Sequence, residues 1–138
     1  MTFAPKTRIR AINTLREDGA YVLYWMVAFR RPYENFALQH AAEYAATLQK
    51  PLVVFEPRRA QYRWSCPRFH TFIVEGMRDN AAYFETTDAT YFPYVEPKHG
   101  DGKGLLKSLA ERACVVVSDD YPCFFLPRMV PVSYTHLR

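Results

Sequence analysis

Apolar residues fall along this chain in two alternating patterns: short unbroken runs, and longer stripes with a three- or four-residue step. Residues 1–20 are polar and irregular, with Pro5 and an Asp18-Gly19 turn, and predict an amino-terminal arm. Tyr21-Val-Leu-Tyr-Trp-Met-Val-Ala-Phe29 then runs almost unbroken through β-forming residues. A run without alternation predicts a strand covered on both faces, as in a parallel sheet. After the charged loop 30–34, Asn35 is placed to cap a helix whose stripe is Leu38, Ala41, Ala45 and Leu48. Lys50-Pro51 ends that helix, and Leu52-Val-Val-Phe55 predicts a second buried strand. A second helix is expected from Ser65 or Pro67, since proline suits a first turn, with Phe69, Phe72, Ile73 and Met77 facing inward and continuing towards Tyr83. Residues 91–95 predict a weaker strand that Pro93 places at an edge or makes irregular. A loop at Gly100-Asp-Gly-Lys-Gly104 leads to a third helix carrying Leu105, Leu106, Leu109, Ala110 and Ala113. Cys114-Val-Val-Val117 is the fourth strand, ended by Ser118-Asp-Asp120.

Strands and helices thus alternate, and right-handed crossovers convert that order into an α/β fold: an open parallel sheet of four strands with helices on both faces. Residues 121–130 should begin the next helix, but Pro127 and Pro131 interrupt it and no fifth strand follows. The expected organisation is an arm at 1–20 and one incomplete α/β domain at 21–130. Ser133-Tyr-Thr-His-Leu-Arg138 reads as a translated adapter or vector tail, so residues 131–138 are expected to be non-native.

Composition sharpens this in few places. The 138 residues suit one domain, and 49% hydrophobic residues allow a buried core. A formal charge of +4 is only mildly basic. Cys66, Cys114 and Cys123 form no CxxC pair, no apolar signal segment follows Met1, and no run is long enough to span a membrane, which together predict a soluble cytoplasmic protein. No GxGxxG follows the first strand, no Ser or Thr follows Lys103 to make a Walker loop, and no HExxH or GxSxG occurs. His40, His70, His99 and His136 are scattered, so a metal site is not expected. The glycines at 100–104 could cradle a phosphate but read first as a turn and helix start. Arg58, Arg59, Arg63 and Arg68, interleaved with Tyr62, Trp64 and Phe69, fit nucleic-acid contact, a domain interface or a solvated face.

Topology supplies the sharpest site argument. Ligands of open parallel α/β sheets favour the crevice beyond the strands' carboxyl ends where the strand order reverses. With the order 3-2-1-4, that crevice lies between the first and fourth strands, with lips at 26–35 and 118–122. Arg30 and Arg31 are then expected to face Asp119 and Asp120, either to bind a polar planar ligand or as surface ion pairs contributing about 0–1 kcal/mol.

Tyr21-Val-Leu-Tyr-Trp-Met26, then Arg30-Arg31, then Glu34-Asn-Phe-Ala-Leu38 resembles the opening of class II cyclobutane-pyrimidine-dimer photolyases. The likeness continues through Lys50-Pro-Leu-Val-Val-Phe55, Tyr62-Arg-Trp64, residues 72–77 and Ser118-Asp-Asp120, spanning about residues 8–130. The resemblance implies a Rossmann-like amino-terminal antenna domain of a light-driven DNA-repair enzyme. In that family, FAD, the dimer pocket and most DNA contacts belong to a helical carboxyl-terminal domain that this sequence lacks. That domain and, through it, pyrimidine-dimer DNA are the implied partners. Some members hold a deazaflavin or folate antenna, for which Met26, Arg30, Arg31, Asn35, Asp119 and Asp120 are the positions to consider here. The chain alone is expected to hold no cofactor stably and to be inactive. A cryptochrome-type light sensor and a free-standing nucleotide-binding or interaction module are the alternatives.

Overall fold

The computed structural model describes residues 4–12, 14–123 and 127. After a 3-10 turn at Lys6–Arg8, the elements run β1 Tyr21–Trp25, α1 Phe36–Leu48, β2 Leu52–Arg58, α2 Pro67–Phe84, β3 Thr90–Val95, α3 Leu105–Glu111 and β4 Ala113–Ser118. The four strands form one sheet in the order β3-β2-β1-β4, parallel at every pairing. Tyr24 lies beside Val54 on β2 and Val117 on β4, so β1 is fully enclosed. This is the open α/β sheet of a Rossmann-like domain, with its order reversing between β1 and β4.

The two faces carry separate cores. Val22, Tyr24 and Met26 pack with Val54, Leu38, Ala41 and Phe84 under α1 and α2. Leu23, Trp25 and Phe55 pack with Ala110 and Ala113 on the α3 face. Crossovers from β1 to β2 to β3 step one way and place α1 and α2 together; the crossover to β4 steps back across and puts α3 opposite.

Local chemistry explains the element ends. Asn35 caps α1 in extended backbone, its side chain accepting from the Leu38 N–H at 3.0 Å. Gln49 then turns left-handed at φ 52° before Lys50-Pro51. Pro67 occupies the first turn of α2, and Pro93 sits in the edge strand β3. Gly19 has no room for a side chain, because a Cβ there would collide with the backbone of Cys114.

Three expectations are corrected. Ala113, expected on the third helix, opens β4 instead, since α3 ends at Glu111 and Ala113 already pairs with Tyr21 of β1. β2 continues past Phe55 to Arg58, since β3 pairs with it as far as Arg58–Val95. On α2 the buried positions are Met77, Asn80 and Phe84, whereas Phe69 and Phe72 are 51% and 75% exposed and Tyr83 is also exposed. The buried face is centred about 50° round the helix from the apolar stripe, at about 100° per residue, and it includes polar Asn80, which donates to buried Glu56.

The arm is tied down rather than free: the Arg16 N–H donates to the Cys114 carbonyl at 2.9 Å, and the Ala20 N–H to that of Arg112 at 2.8 Å. The expectations for Pro131 and for a tail at 131–138 lie outside the described residues, as does most of 121–130. Among the described residues no helix is long and apolar enough to cross a membrane, and no group of three or more His, Cys, Asp or Glu could hold a metal.

Candidate ligand crevice

At the carboxyl end of β1 the chain turns so that three successive amides converge on one carboxylate oxygen. The N–H groups of Val27, Ala28 and Phe29 donate to Asp119 Oδ2 at 3.1, 2.8 and 3.0 Å. Its other oxygen accepts from the Tyr24 hydroxyl at 2.8 Å. Tyr24 accepts in turn from the Asn35 amide at 2.9 Å, and that same amide nitrogen reaches the carbonyls of Phe29 and Arg31, both at 3.0 Å. The α1 cap, the loop after β1 and the end of β4 are thereby joined through one phenol. Burial, and then the Asp119 carboxylate, push the Tyr24 phenol far above its ordinary range, so it remains a donor.

A second buried carboxylate lies on the other side of β1. Glu56 on β2 accepts from Arg30 at 3.1 Å through one oxygen, and through the other from Asn80 at 2.8 Å and Tyr91 at 2.6 Å. Arg30 also donates to the Pro57 carbonyl at 2.7 Å. Burial, followed by the hydrogen bond to Glu56, raises the Tyr91 phenol strongly. Beside this network opens a cleft of about 290 Å³ lined by Arg30, Glu56, Phe72, Ile73, Gly76 and Asp79, among others.

The six residues singled out from sequence therefore do not form one pair of lips. Asn35 and Asp119 meet through Tyr24. Met26 is fully buried in the core, with its sulfur 3.9 Å from the Asn80 amide nitrogen, which also lies 3.3 Å from the Arg30 carbonyl. The expected facing of Arg30 and Arg31 with Asp119 and Asp120 is not what forms. Arg30 turns to Glu56 because the loop amides already satisfy Asp119. Arg31 folds onto its own loop, donating to the carbonyls of Tyr33 and Glu34 at 3.2 and 3.1 Å. Asp120 pairs instead with Arg10 of the arm at 3.2 Å, both well exposed, a contact contributing about 0–1 kcal/mol.

The glycine loop before α3 is also occupied from within. Glu96 accepts from the N–H groups of Ala60, Gly100 and Gly102 at 2.8, 3.0 and 3.2 Å. Those amides hold its carboxyl below the ordinary value of 4.5, the Ala60 bond being the largest cause. In the arginine-rich segment, Arg58 donates to His70 Nδ1 at 2.9 Å and Arg63 lies 5.2 Å over the Trp64 ring.

No protein-family profile matches the chain. Over 74 residues it is 40% identical to the deoxyribodipyrimidine photo-lyase of Methanothermobacter thermautotrophicus, a match covering 52% of this chain and 17% of that protein. That likeness points to the photolyase family. The chain thus spans well under two thirds of its photolyase relative. In this domain, sequence reading missed Tyr24, Glu56, Asn80, Tyr91 and Glu96. Two of them carried a signal: Glu56 shares strand parity with Val54, and Asn80 shares a helix face with Met77 and Phe84, so both polar groups had to point inward.

Proposed function

We propose that this chain is the amino-terminal α/β domain of a class II-type deoxyribodipyrimidine photolyase, a protein that repairs cyclobutane pyrimidine dimers in light. The 40% identity to a curated photolyase carries the reading. The sheet supports it, since β3-β2-β1-β4 is an open parallel sheet of the Rossmann-like kind that the resemblance implies. Flavin binding, dimer recognition and electron transfer would belong to a helical domain not included in this sequence. Against a free-standing nucleotide-binding module stand the two amide clusters, which already hold the chain's own carboxylates.

The contribution of this domain would be to hold an antenna. A deazaflavin or folate, when bound, absorbs near-ultraviolet or blue light and passes the excitation to the flavin. The cleft beside Glu56 fits a planar group: about 290 Å³ of space, the exposed ring of Phe72 for stacking, the Arg30 guanidinium for hydrogen bonding, and Gly76, where a Cβ would meet only open space. Arg30 would orient the ring edge, while Ile73 and Phe72 would exclude water.

The test is to obtain the reading frame around residues 121–138 from the source locus and assay the encoded protein on a dimer-containing oligonucleotide. Dimer loss under blue light but not in the dark is expected. Stoichiometric flavin without light-dependent repair would replace repair with a cryptochrome-type sensor. The present chain alone should carry no flavin, and a yellow preparation with stoichiometric flavin would overturn the division of labour.

A further inference from the structure

Three consecutive amides aimed at one oxygen form an oxyanion receptor. In open parallel sheets this receptor, placed in the loop after the first strand at the switch point, is where nucleotide phosphates are held. The loop after β1 sits at that place and has that geometry, with Val27, Ala28 and Phe29 donating to a single oxygen at 3.1, 2.8 and 3.0 Å. The oxygen belongs to Asp119, only 3% exposed, whose second oxygen is bound by Tyr24.

We propose that Asp119 is a specificity-determining residue of the crevice: a built-in carboxylate that fills the oxyanion receptor of residues 27–29 and excludes phosphate-bearing ligands from the β1/β4 switch point. A phosphate approaching this loop would find its donors taken and a buried negative charge in their midst. The same device recurs in the other loop where a phosphate could have been cradled, as Glu96 takes the amides of Ala60, Gly100 and Gly102. Ligands of this edge are thereby restricted to groups that bring no anion to these loops, which directs a neutral ring system to the cleft beside Arg30. This last step deepens the antenna reading and rests on it; the exclusion itself rests on hydrogen-bond geometry alone.

The prediction has a gain-of-function form. Asp119→Gly removes the plug and leaves its receptor, so small oxyanions should bind where the carboxylate was. The probes are formate and inorganic phosphate, titrated into the full chain at constant ionic strength, with amide NMR shifts of residues 27–29 and thermal midpoint as readouts. The wild type should show no phosphate-dependent shift at these amides. Asp119→Gly should lose their downfield positions, regain them with formate, and bind phosphate roughly tenfold or more tightly than wild type, the equivalent of one charge-assisted hydrogen bond. Phosphate-dependent shifts at 27–29 in the wild type would overturn the proposal, as would a folded Asp119→Gly protein that responds to neither probe. If that variant does not fold, Asp119→Asn decides. It keeps an acceptor in place but removes the charge, so amides 27–29 should move upfield, and unchanged shifts would overturn the proposal. None of these readouts involves light, flavin or DNA, so they stand or fall separately from the repair activity.

Discussion

Asp119 and Glu56 are both buried carboxylates near the carboxyl edge of the sheet, one just past the end of β4 and one on β2, the two strands that flank β1, yet they are held by opposite means. Asp119 is gripped by three backbone amides of one loop and by a phenol. Backbone donors cannot swing away, and the grip leaves its oxygens engaged. Glu56 is held by side chains from three elements: Arg30 from the loop after β1, Asn80 from α2 and Tyr91 from β3. Each of these can rotate, and the network borders the cleft that Phe72 and Gly76 help to line. A carboxylate fixed by backbone serves as a structural plug. One fixed by side chains beside open space leaves donors that a ligand can recruit.

The largest effect that tests this contrast is Glu56→Ala. It strands the Arg30 guanidinium and the buried Asn80 and Tyr91 donors, and breaking a buried pair typically costs about 3–5 kcal/mol. The lower end is expected because the Arg30 side chain retains 26% exposure and can find water. Urea unfolding with an unchanged m-value would measure it; a loss below about 1 kcal/mol would mean that the side-chain network adapts without Glu56 and contributes little to holding the sheet. Next comes Tyr24→Phe, which deletes the hydroxyl shared by Asn35 and Asp119 and should cost about 1–2 kcal/mol. Because the amides keep Asp119 in place, this loss should be smaller than that of Glu56→Ala. The reverse ranking would break the comparison.

These side chains also mark where the sequence stopped being readable. The element order, the Asn35 cap, the Pro67 helix start, the edge position of the Pro93 strand and the β1/β4 switch point all follow from local pattern, because each depends on near neighbours or on crossover handedness. Tyr24 was invisible as a hub: within an unbroken apolar run covered on both faces, no alternation distinguishes a hydroxyl that bonds from a ring that packs. Glu56 read as the end of a strand, since its partners lie 24, 26 and 35 residues away. Arg30 was assigned the wrong carboxylate for a related reason. Charge and proximity across the crevice favoured Asp119, but the turn of the backbone at 27–29 decides, and side-chain patterning does not record where backbone amides point.

Glu96 offers a smaller test of the same backbone grip. Its folded pKa lies below the ordinary 4.5, chiefly through the Ala60 N–H. A lowered carboxyl pKa contributes stability that is present above the unfolded value and disappears as pH falls through the folded one. Wild type should therefore exceed Glu96→Gln by about 1 kcal/mol at neutral pH, with the difference shrinking below about pH 4.5. Urea midpoints measured from pH 7 to pH 3 give the answer. A difference that does not change with pH would show that it does not arise from ionisation of the carboxyl, and would remove charge from the account of how backbone loops hold these carboxylates.

The smallest expected effect has the opposite sign. Gly76 lies inside α2, where no heavy atom comes within 4 Å of the position a Cβ would take. Glycine in a helix interior is less favourable than alanine by about 0.5–1 kcal/mol, so Gly76→Ala should stabilise the free protein by that amount. The added methyl would stand at the cleft beside Arg30 and Glu56. If that cleft is where a planar ligand stacks, the same variant should bind a deazaflavin probe more weakly in a fluorescence titration while melting at a higher temperature. Higher stability with unchanged binding would move the ligand away from α2 and leave the Glu56 network purely structural. Lower stability would mean that the Gly76 face of α2 is packed against something, and the contrast between a filled crevice and an open cleft would fail at its second half.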